Sequence, residues 1–456
     1  MKIKYLILFS LFINLLCIDA DFNVIYKSSS TGNQFMNLIK NLYIEVELSI
    51  GSNEQKFKSE LDITNYLITV PDIQFNRTDI EGFNKSTSTS FTFIQDLGNY
   101  FIERIYGGFI GQDTIKIGKS ESINNFKFVV GSNYLFTSGS YSYIGLKMAT
   151  NQGGLFNVNL LEQLKNNSII DKELWYLDFT DYNSGKFVVG KFLHELDDTI
   201  YKEKDLYQTN FDAESYSVYP IKFDEIYYGN LKNYNERKLI EDHNNAHISI
   251  NTRLIYCTSQ YADIIHKNFF NKKLDENVCF REKLDEQDSY YYLYCYKNKI
   301  NINEMDNLNF YIRDTNTTFT LTPKDLFYEH DEYLYFLVVY KETNHIFDDD
   351  EEVEWTLGLQ FLQKFTMAFD PRDRIFYYYN IVKDNNNNNK ENENETNHKN
   401  LKYIIIIILL VILFVGCTTF LIFYIIKIKP RKVKVNELDE NYDYETKDIG
   451  NDMLIN

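Results

Sequence analysis

The sequence predicts a mostly β ectodomain in two lobes, carried on a single membrane-spanning helix near the C-terminus. Three observations predict it. From Asn41 to Tyr379, short runs rich in Tyr, Phe, Ile and Val alternate with polar residues and are separated by Asn, Asp, Gly or Ser clusters, the pattern of half-buried strands and turns. Only two segments of the 456 residues are apolar enough to need a membrane or its translocation machinery. Between the first of them and the Asn-rich stretch that precedes the second lie about 360 residues, enough for two packed lobes of ordinary domain size.

Taken in order, Tyr5 to Leu16 is a short apolar run behind Lys2 and Lys4, and Cys17 to Ala20 is a small-residue stretch. Residues 1–20 are therefore expected to be a signal peptide. The clearest strand alternations follow at Tyr43 to Leu48 and Phe126 to Val130, and helical periodicity is confined to stretches such as Phe156 to Leu164 and Tyr261 to Phe270. Residues 384–402, with the run Asn385 to Asn389, lack the apolar side chains that offset ordering entropy and read as a flexible stalk. Residues 403–426 are almost wholly Ile, Leu, Val and Phe; a helix there reaches roughly 36 Å, enough to span a bilayer. Lys427, Lys429, Arg431, Lys432 and Lys434 follow at once, so the positive-inside rule places residues 427–456 in the cytosol as a tail and makes the protein type I, single-pass.

The net charge of −18 argues against nucleic acid or an anionic lipid surface as a partner, and is also what keeps many ectodomains soluble. Sequons at Asn76, Asn84, Asn166, Asn316 and Asn394 are candidate glycosylation sites for passage through the secretory pathway. With Cys17 in the leader and Cys417 in the span, Cys257, Cys279 and Cys295 face an oxidising compartment, allowing one disulfide and one spare thiol. The acidic run Asp348 to Glu352 lacks the glycine and spacing of a calcium loop and reads as a solvated loop. No metal or cofactor is expected.

Several ordered segments resemble the pepsin-like family of aspartic proteases. Tyr43 to Gly51 leads to Leu61-Asp62-Ile63-Thr64-Asn65 and Val70-Pro71, where the family has a strand, an Ile-Gly turn, an apolar strand ending in Asp-Thr-Gly-Ser, and Val-Pro. Gly111 to Gly118 looks like the segment after the family's flap hairpin, and Ser142-Tyr143-Ile144-Gly145-Leu146 like the strand that crosses behind the first catalytic loop. Leu174 to Leu177 and Gly185 to Gly190 resemble the paired strands joining the lobes, Tyr219 to Gly229 the opening of the second lobe, and Trp355-Thr356-Leu357-Gly358, Phe361-Leu362 and Phe369-Asp370 the family's closing segments. The resemblance implies a bilobal pepsin-like fold, with lobes at 21–211 and 212–383. It also implies a disulfide between Cys279 and Cys295, leaving Cys257 as a buried thiol.

Catalysis in that family needs one carboxylate from each lobe, so that one acts as acid while the other activates water. Asp62 takes the first position. Aligning Leu254-Ile255 on the apolar pair after the second motif puts Ser249-Ile250-Asn251-Thr252 where Asp-Thr-Gly-Thr is expected, so Ser249 replaces the second aspartate. A serine hydroxyl holds water but does not ionise usefully near neutral pH. The threonines that brace the family's dyad correspond to Ile63 and Ile250, which have no donor, and its glycines to Thr64 and Asn251, whose side chains intrude where backbone should approach. Family spacing puts the flap tyrosine at Phe101.

His247, two residues before Ser249 on the same strand face, is a candidate base for Asp62 and reads more simply as a satisfied or exposed histidine. Asp224, Asp242 and Asp263 are alternative acids only under a different alignment. The expected function is binding of an extended peptide or protein segment between the lobes without cleavage. Two rival readings stay open: an endopeptidase using Asp62 with another partner, and a structural surface glycoprotein that no longer uses its cleft.

Overall fold

In the computed structural model, strand β1 (Ile18–Tyr26) pairs antiparallel with β2 (Leu42–Ile50), from Phe22 opposite Val46 to Tyr26 opposite Leu42. Phe22 and Val24, with Leu42, Ile44, Val46 and Leu48, are buried, whereas Tyr43, Glu45 and Glu47 are less covered. This is the period of two that lets a strand bury one face. The structure describes residues 17–27, 34–73, 82–102, 105–134, 142–147, 158–210, 219–229, 238–284, 289–341 and 355–379.

The first sheet continues with β3 (Gln55–Asp62), β4 (Ile68–Pro71), β5 (Thr92–Ile102), β6 (Ile105–Ile117), β7 (Ile123–Tyr134) and β8 (Ser142–Gly145). It is extended by β9 (Trp175–Phe179), β10 (Ser184–Val189) and β11 (Leu206–Asn210). A second sheet holds β12 (Pro220–Tyr228), β13 (Lys238–Ile248), β14 (Ile255–Cys257), β15 (Cys279–Lys283), β16 (Tyr290–Tyr296) and β17 (Leu308–Ile312). It is completed by β18 (Thr317–Leu321), β19 (Phe327–His330), β20 (Tyr333–Phe336), β21 (Val338–Lys341) and β22 (Trp355–Leu357). The chain then returns: β23 (Met367–Asp370) pairs with β9, and β24 (Ile375–Tyr379) with β11, so the closing strands belong to the first sheet. The helices used below are short: α1 (Gln34–Lys40), α2 (Leu160–Asn166) and α3 (Leu359–Lys364). The fold is mostly β.

The sheets are joined through buried aromatic rings. Trp175 stacks on Phe369 with centroids 4.8 Å apart, and its Nε1 donates to the Tyr219 hydroxyl at 3.3 Å. Tyr219 in turn donates to the Leu146 carbonyl, and burial pushes its pKa well above the usual tyrosine range, keeping it a donor. Tyr219 immediately precedes β12, so the entry to the second sheet is pinned on the residue that follows β8.

β1 takes in Ile18, Asp19 and Ala20, which pair with Val189, Val188 and Phe187 of β10, and Ile18 and Ala20 are buried. The expected leader, residues 1–20, thus overlaps the start of this strand. Cys279 and Cys295 lie opposite each other in β15 and β16 and form a disulfide, while Cys257 is buried and lies outside that bridge. All the described residues fall within one compact unit, which ends at Lys383. The expected stalk, span and tail lie outside the described residues, as do residues 1–16. Among the described residues no helix is long and apolar enough to cross a membrane.

Asp370 closes β23, and its Oδ1 accepts the N–H groups of Arg372 at 3.1 Å and Asp373 at 3.0 Å. Burial outweighs these bonds and raises its pKa above the usual carboxylate value. A carboxyl whose folded pKa is raised contributes stability fully below the unfolded pKa of about 3.9 and loses it as pH rises through the folded value. Asp370→Asn, which keeps an acceptor for both N–H groups, is expected to raise the melting temperature at pH 7 and to change it little at pH 3. Thermal melts at the two pH values check this, and a lowered melting temperature at pH 7 would contradict it.

Candidate functional site

One strand arrangement occurs twice. β3 runs parallel to β8, β8 antiparallel to β4, and β4 parallel to β7. In the second sheet β13 runs parallel to β22, β22 antiparallel to β14, and β14 parallel to β21. Register then equates the two residue by residue. Leu61 lies opposite Ile144 and Asp62 opposite Gly145, as Ile248 lies opposite Leu357 and Ser249 follows, its N–H donating to the Leu357 carbonyl at 3.0 Å.

The two glycines close this comparison. A Cβ on Gly145 would come within 2.5 Å of the Leu67 nitrogen, and one on Gly358 within 2.4 Å of the Leu254 oxygen, so each glycine is pressed behind the turn that follows the strand. The turns share a side-chain clasp: Leu67 N–H donates to Asn65 Oδ1 at 2.9 Å, and Leu254 N–H to Thr252 Oγ1 at 3.1 Å. Asp62-Ile63-Thr64-Asn65 and Ser249-Ile250-Asn251-Thr252 are thus the same turn in the two lobes.

Asp62 is buried, and its Oδ1 accepts the Thr64 N–H at 2.8 Å and the Thr64 hydroxyl at 2.6 Å. Thr64 therefore does more than fill the space of a glycine, because a hydroxyl folded back onto a carboxylate is a charge-assisted hydrogen bond. The second turn repeats the bond weakly, with Asn251 N–H donating to Ser249 Oγ at 3.4 Å. Ile63 and Ile250 are buried and bring only apolar atoms, and the Asn251 Oδ1 is buried with no hydrogen-bond partner among the described residues. The pair of turns offers one carboxylate and one hydroxyl. A hydroxyl donates one proton and accepts others but supplies no second negative charge for activating water.

The other candidates fall elsewhere. Phe101 lies in β5 opposite Tyr106, close to the end of the β5–β6 hairpin, and its side chain is outside the described atoms. His247 is half-buried in β13 opposite Thr356. Asp224 accepts the Arg313 N–H at 2.7 Å, Asp242 pairs in β13 with Glu225, and Asp263 is exposed on the helix Ser259–Ile265. Among the sequons, Asn166 and Asn316 are exposed and Asn84 is partly covered, its Oδ1 capping a short turn through Ser86 N–H. Asn76 and Asn394, like Asp348 to Glu352, lie outside the described residues.

Two residues beside the turns were not singled out from sequence. Glu60, two positions before Asp62 on the same face of β3, is buried and forms an ion pair with Lys27 at 3.6 Å. The Lys27 ammonium also lies over the Tyr43 ring, whose hydroxyl pKa is pushed up to about 12 by burial and by the charges of Glu45 and Glu60. Arg253, next to Thr252, is fully buried. Its guanidinium stacks on Tyr182 at 3.5 Å and donates to the Tyr26 hydroxyl at 3.1 Å, Asn183 Oδ1 at 3.1 Å, Gln363 Oε1 at 3.3 Å and the Tyr182 carbonyl. A residue of the second lobe's turn thereby clamps β1, the β9–β10 turn and α3. The sequence signal was a charged residue set directly before the apolar pair Leu254-Ile255 that leads into β14.

Two sheets, each carrying a strand-and-turn repeat backed by a glycine, with an aspartate in the first turn, are the architecture of a pepsin-like aspartic protease domain. The model of the eukaryotic aspartyl protease family matches residues 43–375, and the chain belongs to that family. No curated protein matches the chain closely enough to be counted as a relative.

Proposed function

We propose that this aspartic protease homologue binds an extended peptide or protein segment between its lobes and does not cleave it. The observation that supports the reading is the register that equates Ser249 with Asp62. Without a second carboxylate the acid and base roles cannot be divided. The retained fold still offers strand edges and turns on which an extended chain pairs. The test is to incubate the full chain with a mixed peptide library and to identify by mass what stays bound. Enrichment of intact peptides is expected; enrichment of none would favour a structural surface glycoprotein instead.

A specific observation favours a second reading. Asp62 is present, buried and braced by Thr64, which is half of an endopeptidase site. Appearance of cleaved library peptides would select it.

The proposed setting is a type I membrane protein with residues 403–426 as the span, the ectodomain lumenal or extracellular and glycosylated, and residues 427–456 in the cytosol. The pairing of Ile18 to Ala20 within β1 supports a cleavage point before Ile18 rather than before Asp21. A C-terminal tag in intact microsomes should be digested by added protease, and N-terminal sequencing should find Ile18 retained. A protected tag would refute the topology, and a mature start at Asp21 would refute the cleavage point.

A further inference from the structure

β1 and β2 would make a plain hairpin, since Tyr26 pairs with Leu42, but the chain leaves between them and returns. The departure is closed at its base by the Lys27 N–H donating to the Asn41 carbonyl at 2.8 Å, and its described part, Gln34 to Asn41, lies on the other lobe. Phe35, Met36 and Ile39 of α1 are buried against Leu254, Leu284, Tyr292, Tyr335, Leu337 and Val339 of the second lobe. The Phe35 ring lies 4.4 Å from the His330 ring and 4.5 Å from that of Tyr335, centroid to centroid.

Main-chain bonds fix the same segment to the turn that carries Ser249. The Ile39 carbonyl accepts from Arg253 N–H at 2.9 Å and from Thr252 Oγ1 at 3.4 Å, while Leu42 N–H donates to the Asn251 carbonyl at 3.1 Å. At its near end Lys27 reaches Glu60, two residues from Asp62. An insertion in the first lobe's hairpin thus uses backbone bonds and three large apolar side chains to cover the second-lobe surface next to Ser249. Main-chain bonds for affinity and apolar side chains seated in a surface for choice are also the two components by which a bound peptide is held.

We infer that Gln34–Asn41 is an internal ligand, occupying the surface on which peptide is bound, and that an incoming peptide with large apolar side chains reaches this surface by displacing it. The inference rests on the binding function proposed above. Such an occupant lowers apparent affinity by the fraction of time the surface is covered. It also selects ligands able to replace Phe35, Met36 and Ile39.

The test uses the full chain and a fluorescein-labelled peptide of the segment's own sequence, Gln-Phe-Met-Asn-Leu-Ile-Lys-Asn. The variant Phe35→Ser/Met36→Ser/Ile39→Ser is expected to bind this peptide at least about tenfold more tightly than the unchanged chain does, as expected when an occupant is removed. Equal binding, or none to the variant, would overturn the inference. Circular dichroism and mapping of the Cys279–Cys295 bridge show whether the triple variant folds; if it does not, Met36→Ala and Ile39→Ala are read the same way, each with a smaller gain. Library peptides bound as tightly by the unchanged chain as by the variant would overturn the inference and leave the binding function standing. Labelled peptide bound by the variant, with no library peptide bound by either chain, would sustain docking of the segment and sink the binding function.

Discussion

Arg253→Ala is expected to cost about 4 kcal/mol of stability, since hydrogen bonds to a charged group contribute about 1.5–3 kcal/mol and deleting a large buried side chain leaves a cavity. The guanidinium holds Tyr26, Asn183, Gln363 and the Tyr182 carbonyl in one place, and alanine leaves each of them without that donor. Arg253→Lys keeps the charge but loses the planar fork and the stacking on Tyr182, so most of the loss is expected to remain. Chemical denaturation of the two variants beside the unchanged chain measures it. A loss below about 1 kcal/mol, the range of an exposed charge, would show that the clamp is incidental.

Ser249→Asp is expected to leave peptide cleavage short of what a complete dyad gives, by a factor of about 10² or more. A missing acid or base alone typically costs about 10²–10⁴ in rate, and the substitution supplies only that part. The Ile63 and Ile250 side chains still bring no donor to the two turns, and Asn251 still leaves a buried Oδ1 with no hydrogen-bond partner among the described residues. The first turn needs less repair, because Thr64 already braces Asp62 through both its N–H and its hydroxyl. Adding Asn251→Gly and Ile250→Thr to Ser249→Asp should therefore gain more than any change at Thr64. Initial rates on one peptide across pH 3 to 7, a span that takes in the upper titration of a paired dyad, check the order. Full activity from Ser249→Asp alone would contradict it.

The strand pattern and the family motifs were legible because they are local. Alternation in Tyr43 to Leu48 survives as β2, and Ile144-Gly145 and Leu357-Gly358 stand where their motifs imply, since a glycine pressed against a turn leaves a fixed mark in sequence. The placement of Ser249 was available for the same reason, through Leu254-Ile255 running into β14. Arg253 was not legible as a clamp because its partners come from β1, the β9–β10 turn and α3, which only the tertiary fold brings together. α1 escaped because seven residues carry too little periodicity to stand out in a β-rich chain. Thr64 was read by its bulk alone, although a threonine hydroxyl returning to a side chain two residues back is local chemistry that sequence can suggest. The return of β23 and β24 to the first sheet is a long-range pairing with no local signature.

Peptide turnover by the full chain, followed from acid to neutral pH beside Asp62→Asn, bears most directly on the central claim that the second lobe presents a serine hydroxyl where catalysis needs a carboxylate. Background turnover by both proteins at every pH is the predicted result, and cleavage by the unchanged chain that Asp62→Asn abolishes would contradict it.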